Sequence, residues 1–527
     1  MGTKPKKASK STKTKKPAKA TASGKLAKRA LPPPVIIDST LAFFLDDYSR
    51  TLFPMRTNRE LIVRGEKEIK EYINKCLDES EKAYSFLSQK RVYAAKPNSY
   101  LRRTIKLDPV AEYYLYDVVF RNRSLFRKPH TAGRTHYGYR FEGGVPIAPT
   151  EAYKAFKSAL AEYSSKYSHS MGFDVASYFN GVYHHDLVSW FSELGASLDD
   201  ANGLGKLLRQ INSGRSIDCL PQGIYPTKMI GNDFLRFIDN YYEISSEKFV
   251  RFMDDMYLFS DEKKDISDDF QIIQRLLGDK GLSVNPQKTS NDSAGHIDME
   301  NKIDSVKKSL LKRRRILIHN DYNDDEPPSE FHFKKPLSED ELKYINEILD
   351  KPNIEEDDAE LILTIMRDNA HRVERRLPEI IMSYPNLAKT VYGFCAGVKD
   401  KELIADIILG VLRGPGRLTE FQLFWFGSIL EEYLMDTSKV GSLISALFNH
   451  RSTTSITKAK VLEIDDARFG LPELRNEFLI SGQSDWLAWS SAVGSSSLTP
   501  ATRNHRLKYF GNSSQINHLI ANIMLKV

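Results

Sequence analysis

The stretch from Phe249 to Phe259 constrains this chain more than any other: Phe-Val-Arg-Phe-Met, then Asp254-Asp255, then Met-Tyr-Leu-Phe. Two apolar, β-prone runs flank a bare pair of carboxylates, which predicts a hairpin with Asp254-Asp255 at its tip. A turn alone accounts for both aspartates, since Asp adopts turn geometry readily. Three neighbouring stretches supply a second reason for them.

Gly172-Phe173-Asp174 reads as a short apolar strand that ends in a carboxylate, and Leu187, Phe191, Leu194 and Leu198 recur beyond it at helical spacing. Leu220-Pro221-Gln222-Gly223 is a loop that opens a helix whose apolar face carries Phe234, Ile238 and Tyr241. Lys280 to Thr289 reads as a turn, a short strand and a lysine, Lys288. In this order the four stretches resemble the palm of a reverse transcriptase. Asp174 with the aromatic pair Tyr178-Phe179 matches the family's first catalytic block. Gln222-Gly223, with Asn232 further along, matches the block that grips template and incoming nucleotide. Phe252-Met253-Asp254-Asp255 matches the aromatic-x-Asp-Asp box, and Gly281-Leu282 through Lys288-Thr289 matches the block after it.

Nucleotidyl transfer needs carboxylates because two divalent ions, roughly 3.5–4 Å apart, clamp the attacking and leaving oxygens. Magnesium prefers carboxylate oxygens together with the phosphates of the substrate. The resemblance therefore implies two Mg2+ ions, with Mn2+ as a substitute, bridged by Asp174 and Asp254, with Asp255 as a third and partly indirect ligand. It places Phe179 beneath the sugar of the incoming nucleotide, where a bulky ring excludes a 2′-hydroxyl and selects deoxynucleotides. Lys288 is either the acid that protonates departing pyrophosphate or an ordinary exposed lysine.

At 527 residues and 41% hydrophobic, the chain exceeds the usual size of one core, which predicts two or three domains. Residues 1–34 are rich in Lys, Ala, Ser, Thr and Pro and precede the first acid, Asp38, so a disordered basic tail suited to nucleic-acid phosphates is expected there. Residues 35–310 are expected to form fingers and palm, mostly helical up to about 110. In the fingers, Arg134 or Arg140 is the candidate for the incoming triphosphate, because guanidinium forks match phosphate oxygens. His184-His185 are adjacent and lack a third ligand, so they are read as structural. The cations Lys307-Lys308 and Lys312 to Arg315 suit backbone contact in a thumb-like region, and a basic run with an acidic linker is expected over 311–335. Residues 336–527 read as short amphipathic helices in series, a HEAT-like or solenoid domain in which Trp486 and Trp489 fill core. The expected fold class is therefore α+β: reverse-transcriptase-like fingers and palm, then an all-α HEAT-like domain, with a disordered basic N-terminal tail.

Cys76, Cys219 and Cys395 are odd in number and scattered, which argues against a disulfide framework and for a reducing cytosol. No apolar run approaches the ~20 residues of a membrane span, so no membrane partner is expected. Within the resemblance, Met253 stands where the box usually has Ala, and Thr227-Lys228 stand where the Gln-Gly block usually has Ser-Pro. Neither an endonuclease signature nor a ribonuclease H domain is visible. A divergent palm followed by helical repeats resembles the bacterial abortive-infection and defence-associated reverse transcriptases. That resemblance implies a cytoplasmic enzyme of antiphage defence. It polymerises deoxynucleotides into DNA on an RNA template, or without a template from a protein hydroxyl, often as a homo-oligomer. The alternative is a palm fold used only to bind RNA, with the helical domain recruiting partners. A palm-fold nucleotide cyclase fits less well, since the Gly-Gly-acidic turn is missing and Gln222-Gly223 would have no task.

Overall fold

The computed structural model describes residues 1–2, 36–291, 306–307, 309–311, 313 and 336–527. The chain divides into two units, Met1–Ile36 and Ile37–Val527. The tail expected over 1–34, Met1 and Gly2 apart, and the linker expected over 311–335, apart from Leu311 and Arg313, lie outside the described residues. So do Lys308, Lys312, Arg314 and Arg315 of the basic run. Its described members are engaged within the fold: Lys307 pairs with Asp358 at 2.8 Å and Arg313 with Glu341 at 2.9 Å.

Nine strands occur among the described residues. They are β1 Lys90–Ala95, β2 Leu101–Lys106, β3 Arg134–His136, β4 Phe141–Glu142, β5 Val145–Pro146, β6 His169–Asp174, β7 Lys248–Phe252, β8 Asp255–Ser260 and β9 Ser290–Asn291. The central sheet has the order β3-β7-β8-β6-β9. Strand β3 joins β7 in parallel, while β7–β8, β6–β8 and β6–β9 are antiparallel. The period-2 pattern of β8 explains the burial on both faces. Met256 and Leu258 enter the main core beside Phe173 and beside Ile266, Ile273 and Leu277 of the helix Lys263–Gly278. Tyr257 and Phe259 face the other way, where Val250 packs on Phe156 and Leu160 of the helix Pro149–Lys166. Each such buried side chain contributes roughly 1.5–3 kcal/mol, so a one-residue slip that reverses the faces is strongly disfavoured.

Two expectations are corrected here. Residues 90–106 are a β-hairpin, β1–β2, rather than helix. The sequence hid it because Lys90, Arg91, Arg102 and Arg103 put charge on strands with only one buried face. The loop of the β7–β8 hairpin is Met253-Asp254, because Phe252 pairs with Asp255, which already opens β8.

From Glu339 onward the described residues are helical, without strands. One hydrophobic cluster draws on both sides of the chain: Phe53 stacks edge-on against Phe421 and Phe424, with ring centroids 5.7 and 5.0 Å away. The N-terminus of the helix Arg56–Leu77 is capped from the far end of the sequence. Glu463 accepts from the backbone N–H of Arg56 (2.9 Å) and of Thr57 (2.8 Å) and from the Thr57 hydroxyl (2.7 Å). A carboxylate belongs there, since the first N–H groups of a helix are unsatisfied and carry partial positive charge. Trp489 is buried and donates to Asn517 at 3.0 Å. No helix among the described residues is long and apolar enough to cross a membrane.

Candidate active site

Strand β6 ends in Asp174, and the register sets Asp174 directly opposite Asp255 on β8. Partners across an antiparallel pair have Cα atoms about 4.5–5.5 Å apart, so the sheet itself brings together two acids distant in sequence. Asp254 sits beside them on the two-residue loop. Met253 precedes it with φ +59°, in the left-handed region that side-chain-bearing residues avoid at a cost of about 1–2 kcal/mol. The segment bearing Lys288 is stitched to the same strand end. Asn285 donates its N–H to Asp174 O at 2.7 Å, Ala176 donates to Ser283 O at 2.8 Å, and Val175 bridges to Val284.

Crowded acids in a water-poor site resist ionisation. Burial, then the charges of Asp174 and Asp255, push Asp254 up to about 7. Burial and then Asp174 raise Asp255 as well. Lys288, 58% exposed along its side chain, lays its ammonium on Asp174 Oδ2 at 2.8 Å, and that hydrogen bond raises its own pKa. The site thus holds excess negative charge that a cation relieves, and a protein ammonium already relieves one oxygen of it. Among the described residues no three His, Cys, Asp or Glu side chains close around a point as a finished metal cage. Asp174 and Asp255 are paired across the sheet, and Asp254 stands beside them within reach of both charges. A cluster of carboxylates suits Mg2+, which takes few protein oxygens and completes its shell with water and phosphate.

Phe179 is 8% exposed, its ring against Gly231 and Tyr178 and its carbonyl accepting from Leu220 N–H at 2.8 Å. That bond ties the aromatic block to the Gln-Gly loop. Gln222 is fixed by its backbone, donating N–H to Thr104 Oγ1 (2.7 Å) and accepting from that hydroxyl (2.8 Å). Its side-chain Oε1 is buried without a partner among the described residues. Gly223 has φ +101°, and a Cβ there would stand 2.6 Å from Leu52. Only glycine satisfies both conditions.

The two arginines expected at the triphosphate are both engaged within the fold. Arg134 is buried in β3 and donates to Ser246 O (2.7 Å) and Ile244 O (2.6 Å), stapling the approach to β7. Arg140 pairs with Glu142 at 3.1 Å and also reaches the carbonyls of His136 and Gly138, both at 3.4 Å. Asn232 is fully buried, bonded to Arg251 and His136, and so is closed to a nucleotide. Besides Lys288, the β1–β2 hairpin brings cations into the field of the carboxylates. Arg102 stands in the field of Asp254, and Lys96 in the fields of Asp174 and Asp254; partial loss of water lowers both pKa values although each residue keeps open surface. The alternation of Val92 and Ala94 ahead of the turn residues Pro97-Asn98-Ser99 was the available sequence signal for this hairpin. His184 is engaged within the fold: its Nε2 lies 2.8 Å from Cys219 O and its Nδ1 3.3 Å from Asp218.

Comparison with curated proteins gives no match. Over residues 127–314, a span that takes in Asp174, Asp254, Asp255 and Lys288, the chain matches the family model described as reverse transcriptase (RNA-dependent DNA polymerase).

Proposed function

We propose that this chain is a DNA polymerase of the reverse-transcriptase type that joins deoxynucleotides by two-metal nucleotidyl transfer. One observation carries the reading: the β6–β8 register delivers Asp174 to Asp255 beside the Asp254 loop, within the span similar to reverse transcriptases. Asp174 and Asp254 would hold the ions, and Asp255 would add charge and an indirect contact. Bound Mg2+ or Mn2+ supplies charge for the reacting phosphate and lowers the pKa of the attacking hydroxyl. Lys96 and Arg102 receive the triphosphate on its outer side, where arginine and ammonium suit phosphate oxygens. Phe179 floors the sugar and rejects a 2′-hydroxyl. Gln222 and Gly223 would grip template and incoming nucleotide, as the resemblance implies. Lys288, whose ammonium rests on Asp174 Oδ2 at 2.8 Å, would be the acid that protonates departing pyrophosphate.

The finer reading rests on resemblance alone: it is an enzyme of antiphage defence in the bacterial cytoplasm, working on an RNA template or without one. In it, residues 336–527 form a HEAT-like module and the enzyme assembles as a homo-oligomer. Incubating the purified chain with Mg2+ and labelled deoxynucleotides, with and without RNA, tests this. DNA made only with RNA supports templated synthesis, DNA attached to protein supports protein priming, and tight RNA binding with no DNA removes the enzyme reading. Phage challenge of cells carrying wild type or Asp254→Asn tests the defence role.

A further inference from the structure

We propose that Arg251 is a positioning residue for Asp254: from inside the sheet it clamps the carbonyl of Met253 and so fixes the peptide that carries the metal-binding carboxylate. This rests on the proposed function only for what Asp254 does, not for how it is held.

Arg251 is the fourth of the five residues of β7 and is 0% exposed. Its Nε and Nη2 donate to the two oxygens of Asp239, at 2.8 and 2.6 Å, a fork-on-fork pair in which Asp239 is also fully buried. The third nitrogen, Nη1, donates to Asn232 Oδ1 at 3.1 Å and to Met253 O at 3.2 Å. The Met253 carbonyl and the Asp254 N–H belong to one planar peptide, so holding the carbonyl sets where Asp254 begins. Met253 is also the residue in the left-handed region, a conformation that surrounding structure must enforce.

The network behind the clamp has a single consistent arrangement of donors. Arg127 O can only accept, so His136 Nε2, 3.1 Å away, is the protonated nitrogen. His136 Nδ1 then accepts from Asn232 Nδ2 at 3.1 Å, which turns Asn232 Oδ1 toward Arg251. Burial, followed by the charge of Arg251, pushes His136 down to about 3 and keeps it neutral. Gly138 leaves the space: a Cβ there would collide with Asn232 Oδ1.

A buried ion pair is often replaced by apolar residues of like volume without loss of stability. Packing therefore does not explain an arginine here. What an apolar pair lacks is a donor for the Met253 carbonyl.

The test uses the full chain carrying Arg251→Met with Asp239→Leu, and separately Arg251→Lys, whose one ammonium can pair with Asp239 but cannot also span Asn232 and Met253 O. Hydrogen exchange of the 248–260 peptide, Mn2+ affinity and deoxynucleotide incorporation are measured. Both variants are expected to keep wild-type circular dichroism, to exchange faster at the loop, and to bind Mn2+ roughly ten- to hundred-fold more weakly. Turnover should fall with KM for the deoxynucleotide unchanged, since Arg251 does not touch substrate. Wild-type loop exchange and Mn2+ affinity in a folded variant would overturn the proposal. If the double variant does not fold, Arg251→Lys decides it by the same two readings. A wild-type chain with neither Mn2+ affinity nor incorporation defeats the polymerase reading instead, while loop exchange still decides whether Arg251 holds the turn.

Discussion

Replacing Asp254 by asparagine should make the metal-free protein more stable while ending synthesis. Folding raises Asp254 from 3.8 to about 7, first through burial and then through Asp174 and Asp255. The folded chain therefore binds a proton that the unfolded chain has released, so stability from this group is present below pH ~4 and is lost as pH rises through ~7. Each pH unit in that window corresponds to about 1.4 kcal/mol. The full interval gives about 4 kcal/mol, reduced to roughly 2–4 kcal/mol by the water that still reaches the loop. Asparagine keeps the shape and drops the charge. Denaturant unfolding in EDTA should show Asp254→Asn more stable than wild type by that amount at pH 8 and nearly equal to it at pH 4. Saturating Mn2+ should then stabilise wild type and not the variant, by mass action on the folded state. A variant equally stable or less stable at pH 8 in EDTA would refute the claim that this site stores repulsion awaiting a cation.

Phe179→Ala should raise incorporation of ribonucleotides relative to deoxynucleotides in competition assays; unchanged discrimination removes Phe179 from the sugar site. Lys96→Ala and Arg102→Ala should each raise KM for the deoxynucleotide about tenfold to hundredfold, the worth of a charged hydrogen bond, whereas Arg134→Ala should lower stability and leave KM alone. Steady-state kinetics with melting curves separates the two outcomes, and the reverse pattern would return the triphosphate to Arg134. Glu463→Ala should destabilise the fold by about 3–5 kcal/mol, because it strips the cap of the helix Arg56–Leu77 and leaves Lys460, 2.9 Å away, short of a buried partner. A loss under about 1 kcal/mol would show that the cap matters little.

What the sequence made legible was what alternation and strand ends control. The apolar runs around Asp254-Asp255 and the run ending at Asp174 define strands whose faces must be buried, and antiparallel pairing then brings the acids together. Roles that depend on where a long side chain ends were not legible. Arg134 and Arg251 look like the other basic residues of this region, yet the fold turns both inward, the first onto two carbonyls and the second onto Asp239. Asn232 sits at the family's spacing from Gln222 but is taken up by that buried network. The hairpin that carries Lys96 and Arg102 was not legible because charged strands lack the apolar signature of a sheet. The capping of the helix Arg56–Leu77 by Glu463 depends on residues at opposite ends of the chain, and no local pattern marks it.

The most direct measurement is incorporation of labelled deoxynucleotide by the purified full-length chain across a Mg2+ titration, run beside Asp174→Asn and Asp254→Asn. Wild type should incorporate label only when the divalent ion is present, and each variant should be silent although its circular dichroism matches wild type. Incorporation that survives loss of either aspartate, or that proceeds in EDTA, would contradict the account.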